Sequence, residues 1–128
     1  MDTLAVGKRL VELCQQNQHG QAVEELYADN ALNVEAASMP GFTQRLEGKA
    51  AIQAEIDRWL AMHEIQGGSV SGPFPHGDRF AVLFANDMTP KEGPMAGQRM
   101  QGEEVGLYTV ADGKITQIEW FYDMSGCE

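Results

Sequence analysis

Four residues of this chain are of types that move protons and stand at the ends of regular elements: Glu35, His63, Glu103 and Tyr122. Glu35 closes the run Leu26-Tyr27-Ala28-Asp29-Asn30-Ala31-Leu32-Asn33-Val34-Glu35, which reads as the end of a helix, a turn and a short first strand. In an apolar pocket such a carboxylate keeps its proton to higher pH, because burial penalises the charged form, and it then serves as a general base near neutrality. On an exposed strand end, the commoner place for a glutamate, it does no chemistry. His63 ends the apolar stripe of a helix, where the helix dipole alone favours a histidine and where an acid/base role is the alternative. His19 and His76 sit at a helix end and in a turn and read as solvated.

The elements that must position these residues follow from periodicity. Val6, Leu10, Leu13 and Cys14 repeat at i, i+4, i+7, i+8 and predict a first helix from about residue 2 or 3 to Gln18. Gln21 to Tyr27 reads as a second, shorter helix. A third carries Ile52, Ile56, Trp59, Leu60 and His63 on one stripe, with Gln53, Glu55, Asp57 and Arg58 on the opposite face. The segment Ala36 to Glu47 between the first strand and this helix reads as a loop. Beyond it lie strands: a glycine- and serine-rich one over Ile65 to Phe74, then Arg79 to Met88 with Phe80, Val82 and Phe84 on one side. Thr89 to Gly97 reads as a loop.

Asp112-Gly113 predicts a two-residue hairpin turn, whose central residues need positive φ. A two-residue turn places Leu107 opposite Ile118, Val105 opposite Trp120 and Glu103 opposite Tyr122. Because side chains alternate across a sheet, Val105, Leu107, Ile118, Trp120 and Tyr122 then share the face that meets the helices. Tyr108, Gln117 and Glu119 take the other. Glu103 is the misfit on the apolar face. It is either an inward acid beside Trp120 and Tyr122, or the register is shifted by a β-bulge that turns it outward and brings Glu104 in.

Composition bounds the function. The 128 residues suit one domain with its own core, 43% hydrophobic and 22% charged. A net charge of −10 with nine scattered Lys and Arg excludes a nucleic-acid partner. Cys14 and Cys127 lie too far apart in the chain to suggest a disulfide framework, so a reducing, cytoplasmic setting is expected. No apolar run reaches membrane-spanning length, and Met1-Asp2-Thr3-Leu4 does not open like a signal peptide. No histidines or cysteines stand at metal spacing, and no phosphate loop or dinucleotide fingerprint occurs, so neither metal nor cofactor is expected.

Three stretches, Leu26-Tyr27-Ala28-Asp29-Asn30-Ala31, Gly48-Lys49-Ala50-Ala51-Ile52 and Asp112-Gly113-Lys114-Ile115, give the chain a resemblance to the nuclear transport factor 2-like superfamily, in its SnoaL-like and ketosteroid-isomerase-like branch. The resemblance covers nearly all of residues 1–128 and implies a single SnoaL-like domain. The implied fold is α+β, a cone-shaped curved antiparallel sheet wrapped around N-terminal helices (the cystatin-like arrangement), with an apolar cavity between sheet and helices. It further implies a small apolar or aromatic ligand, and a homodimer through the sheet's outer face, where Tyr108 and Phe121 are the apolar residues. It places Glu35 where the isomerases keep their proton-shuttling acid. Glu103, His63 and Tyr122 are then the assisting groups. Tyr27, Met39, Phe42, Ile56, Trp59, Leu107 and Trp120 are the expected cavity lining. The first helix has no tyrosine where the isomerases bind their oxyanion. Leu107 stands at the position of their second acid, and Trp120 where the polyketide cyclases keep theirs.

Overall fold

The computed structural model describes residues 1–38 and 43–123. The elements run α1 (Thr3–Gln15), α2 (His19–Leu26), β1 (Tyr27–Val34), β2 (Arg45–Glu47), α3 (Lys49–Met62), β3 (His63–His76), β4 (Arg79–Pro90), β5 (Met100–Ala111) and β6 (Lys114–Phe121). The strands form one curved, unclosed sheet in the order β2-β1-β6-β5-β4-β3. All neighbours are antiparallel except β1 and β6, which run parallel, so the sheet is mixed.

Local chemistry accounts for most boundaries. Asp2 caps α1 by accepting a hydrogen bond from the Ala5 N–H at 2.8 Å, which satisfies one of the orphan donors of the first turn. The expected stripe Val6, Leu10, Leu13 and Cys14 is buried. Arg9 of α1 reaches across to Glu25 of α2 at 2.6 Å and holds the Glu25 carboxyl at about 2, well below its usual range. Asp112 and Gly113 adopt φ of 52° and 77°, the left-handed turn that the Asp-Gly pair predicts. Phe80, Val82 and Phe84 point inward from β4, as their alternation requires.

Two expectations change. The segment from 36 to 47 is not all loop, since Arg45–Glu47 forms β2 and pairs with Leu32, Asn33 and Val34. The larger change lies between β5 and β6. Ala111 faces Lys114 as the turn dictates, but the register shifts between Thr109 and Val110, where Val110 faces Ile115 while Thr109 faces Gln117. That bulge slips everything beyond it by one residue. Tyr108 therefore faces Ile118, Gly106 faces Trp120, and Leu107 faces Glu119. The inward side chains of β5 are those of Glu104, Tyr108 and Val110, with Gly106 between them. Leu107 and Val105 go to the outer face, and Tyr108, expected there, is only 2% exposed.

The core sits between the inner face and α1 to α3. Its aromatic spine runs Phe80, Tyr108, Trp120, Phe84, with ring centroids at 5.0, 6.1 and 5.5 Å for successive pairs. Gly106 makes the spine fit. A Cβ there would stand 2.8 Å from Tyr108 Cε1 and 3.0 Å from Trp120 Cζ3, so both rings lie over the bare backbone. Among the described residues no helix is long and apolar enough to cross a membrane.

Candidate functional site

Glu35 is placed by the hairpin that the sequence reading missed. Its N–H donates to the Gln44 carbonyl at 2.8 Å, so the β1–β2 pairing continues one step past the strand. Alternation then puts Glu35 on the same face as Ala31, which is fully buried, and Asn33. Asn33 accepts a hydrogen bond from Trp120 Nε1 at 2.8 Å, locking β1 to β6 immediately below the acid.

From Glu35 the inner face continues across the sheet. Trp120 and then Tyr122 come from β6 and its end, Glu104 from β5 beyond Gly106, and Phe84 and Asn86 from β4. Asn86 Nδ2 donates to Glu104 Oε1 at 3.3 Å. From above, α3 adds Glu55, whose Oε1 is buried and makes no hydrogen bond. Its 3.5 Å approach to Arg58 Nη1 is an ion-pair contact only. Glu55 thus lies toward the sheet rather than on the solvent face of α3 where the apolar stripe places it.

Electrostatics bind these groups into one site. Burial raises the Glu35 carboxyl from 4.5 to about 7, and the neighbouring carboxylates of Glu104 and Glu55 push in the same direction. Burial also raises Glu104, against the opposing hydrogen bond from Asn86. Tyr122 is raised by burial first and then by Glu35. Its hydroxyl lies near the backbone of Ala36 and Ala37 but makes no hydrogen bond of good geometry. The result is two carboxyl groups biased toward the neutral form beside an unpartnered phenol.

The other expected site residues fall as follows. Glu103 is exposed on the outer face, opposite Ala85, because of the bulge, and Glu104 takes the inward position. Leu107 leaves the lining for the same reason. His63 turns back onto its own helix: its ring stacks on Trp59 with centroids 4.4 Å apart, and Nδ1 lies 2.7 Å from the Trp59 carbonyl oxygen. That is a helix-end role, with Nδ1 assigned as the donor. Ile56 and Trp120 pack against the core. Tyr27 is buried beneath the site with its hydroxyl paired to that of Tyr108, and burial holds both far from ionising. Met39 and Phe42 lie outside the described residues.

Tyr108, Glu55 and Asn86 are the members that sequence reasoning missed, while Glu104 is the inward acid of the bulged alternative. The acid at 103 on an otherwise apolar face was the signal for that register, which also turns Tyr108 inward. The tyrosine pair yields a test. Tyr108→Phe leaves a buried Tyr27 hydroxyl unpaired and is expected to cost about 1–3 kcal/mol in urea unfolding. Adding Tyr27→Phe should return part of that loss, and strictly additive losses would show that the hydroxyls are not coupled.

Two concave regions of about 500 Å³ each are present. One is lined by Ser69, Asn86, Asp87 and Gln101 on β3 to β5 and meets the cluster only at Asn86, the other by Val23, Lys49 and Gln53 between α2 and α3. Neither groove is lined by Glu35, Glu55, Glu104 or Tyr122.

Comparison with known proteins places this arrangement. A SnoaL-like domain model matches residues 1–122. A Mesorhizobium loti protein, described as a candidate SnoaL-like polyketide cyclase [carbohydrate phosphatase], is 38% identical, with 95% of this chain and 100% of that one covered at a TM-score of 0.88. A Xanthomonas campestris protein of unknown function with a cystatin-like fold is 16% identical, covers 95% of this chain and 91% of its own, and superposes with a TM-score of 0.76. TerC, co-crystallised with polyporic acid, is 17% identical over 92% of this chain and 88% of its own, with a TM-score of 0.70. At those lower identities the likeness is one of fold. No curated protein matches the sequence. The chain belongs to the SnoaL-like domain family, with the cystatin-like, nuclear transport factor 2-like fold.

Proposed function

We propose that this protein binds a small, largely apolar molecule between the sheet and α3 and catalyses a proton transfer on it without a cofactor. Glu35 takes a proton from carbon next to a carbonyl, or from a hydroxyl or water. Glu104 or the Tyr122 hydroxyl supplies a proton to the developing oxygen anion. Isomerisation, aldol-type cyclisation and dehydration all contain this step. The observation that carries the reading is a Glu35 carboxyl poised at about 7, beside a second carboxyl also raised. A base is most effective when its pKa lies near the working pH, and a neutral acid next to it can donate. The family membership and the co-crystallisation of TerC with polyporic acid support the binding half.

The step is visible before a substrate is known. A panel of small aromatic and alicyclic ketones incubated in D₂O should exchange an α-proton, followed by NMR, faster with the protein than with buffer, and Glu35→Gln should remove the difference. Exchange that is no faster with the wild-type protein, or is equal in the variant, would refute a base at Glu35.

A non-catalytic binding or assembly domain is the second reading, and the absence of a tyrosine from α1 favours it. The outer face offers a docking surface for a second copy. Phe121 is 52% exposed there and continues the cross-strand row Leu83–Val105–Phe121. A dimer is expected at micromolar concentration by light scattering, with Phe121→Glu shifting it to monomer. A wild-type monomer would end that proposal.

A further inference from the structure

Trp120 stands on β6 one step beyond the last pair of the β1–β6 ladder, in which Asn33 faces Ile118 and Val34 faces Glu119. The next step of that register sets Trp120 beside Glu35. Both continue the inward parity of their strands, since Ala31 and Ile118 are fully buried. The indole is held from the β5 side. A Cβ at Gly106 would lie 3.0 Å from its Cζ3 and 3.3 Å from its Cη2. Tyr108 and Phe84 pack on it with ring centroids at 6.1 and 5.5 Å. Its opposite edge carries the N–H and is turned to β1.

Two acceptors follow one another there on one face of β1. Asn33 and Glu35 are two residues apart, about 7 Å along the strand. The indole N–H goes to Asn33 Oδ1 at 2.8 Å and not to Glu35. An indole N–H only donates, so the amide oxygen is the end of Asn33 that must face it. The Glu35 carboxyl is thereby left without a donor. Burial, Glu104 of β5 and Glu55 of α3 all raise it, and among the described residues no hydrogen bond opposes them. The other charged or titratable groups of the region are Tyr122 beyond β6 and Arg58, which contacts Glu55. A hydrogen bond to the ionised carboxylate would favour that form and make Glu35 a weaker base near neutrality.

We propose that Asn33 is a positioning residue: it takes up the Trp120 N–H and so withholds from Glu35 the donor that stands next to it. The proposal rests on the reading of Glu35 as the base. It goes beyond that reading by naming the residue that keeps the base free of a donor.

The test follows the Glu35 carboxyl by ¹³C NMR and the Trp120 indole by its ¹⁵N–¹H resonance, from pH 4 to 9, in the purified full chain. In the wild type the carboxyl should titrate at about 7. Asn33→Leu keeps the bulk and removes the acceptor, so the N–H turns to Glu35. The Glu35 midpoint should then fall by about one to two pH units, the size of one hydrogen bond to a charged acceptor. The indole resonance should move with that same midpoint. Trp120→Phe alone should leave the wild-type midpoint in place, and added to Asn33→Leu it should restore it. A loosened sheet would not produce that restoration. Asn33→Ala gives the same readout if leucine disturbs the strand. An unchanged midpoint in both Asn33 variants, or an equal fall with and without the indole, would overturn the role of Asn33 and leave Glu35 as the base. A wild-type midpoint near 4.5 would overturn both.

Discussion

Glu35→Gln is expected to stabilise the protein at pH 8 and to slow the proposed proton transfer by about 10²- to 10⁴-fold, the usual contribution of a positioned base. The stability half follows from proton linkage. The Glu35 carboxyl titrates at 4.5 when unfolded and at about 7 when folded, so between those values the folded state holds more protons. Stability from this group is fully present below pH 4.5 and is lost as the pH rises through 7. The full shift would correspond to about 3 kcal/mol, and partial exposure of the side chain reduces that to about 2 kcal/mol. Glutamine carries no charge and escapes the loss. The variant should therefore match the wild type near pH 4 and exceed it at pH 8 by roughly 7 °C in Tm. Melting curves from pH 4 to 8 make the comparison without any substrate. Parallel pH profiles for the two proteins would show that Glu35 is solvated and ordinary.

Phe80→Ala carries the largest expected loss of stability, about 3–5 kcal/mol. Phe80 is completely buried and stacks on Tyr108 at 5.0 Å between ring centroids. On its other side α1 crosses closely at Gly7, where a Cβ would come within 3.1 Å of Phe80 Cγ. Removing the ring empties the layer between helix and sheet, and neither rigid neighbour can collapse into the space. A domain of this size has a total of about 5–15 kcal/mol to lose, so the variant should be marginal at room temperature. The effect should also spread, because Tyr108 leans on Trp120 and Trp120 holds Asn33 below Glu35. Leu83→Ala, on the outer face of the same strand, is the control and should cost far less. Urea midpoints measure both, and a Phe80→Ala loss below about 1 kcal/mol would contradict the packing described here.

Local rules account for what could be read in advance. The stripe of α1, the left-handed Asp112-Gly113 turn and the inward alternation of Phe80, Val82 and Phe84 all depend on residues within a few positions of one another.

The sequence by itself determined the helices, most of the strands and the family fold; the tertiary structure decided which side chains surround Glu35. On β5 both parities carry large apolar side chains, Val105 and Leu107 on one and Tyr108 and Val110 on the other, so alternation alone does not choose a face. The choice is made by packing across the sheet. Gly106 lets the rings of Tyr108 and Trp120 lie over bare backbone, and the shift at Thr109–Val110 brings them into register. Because the period of a strand is two, that single residue moves Glu103 out and Glu104 in. Glu55 was hidden for a related reason: a helix stripe shows which face is most apolar, not whether an acid at its edge meets another acid from a strand twenty residues earlier.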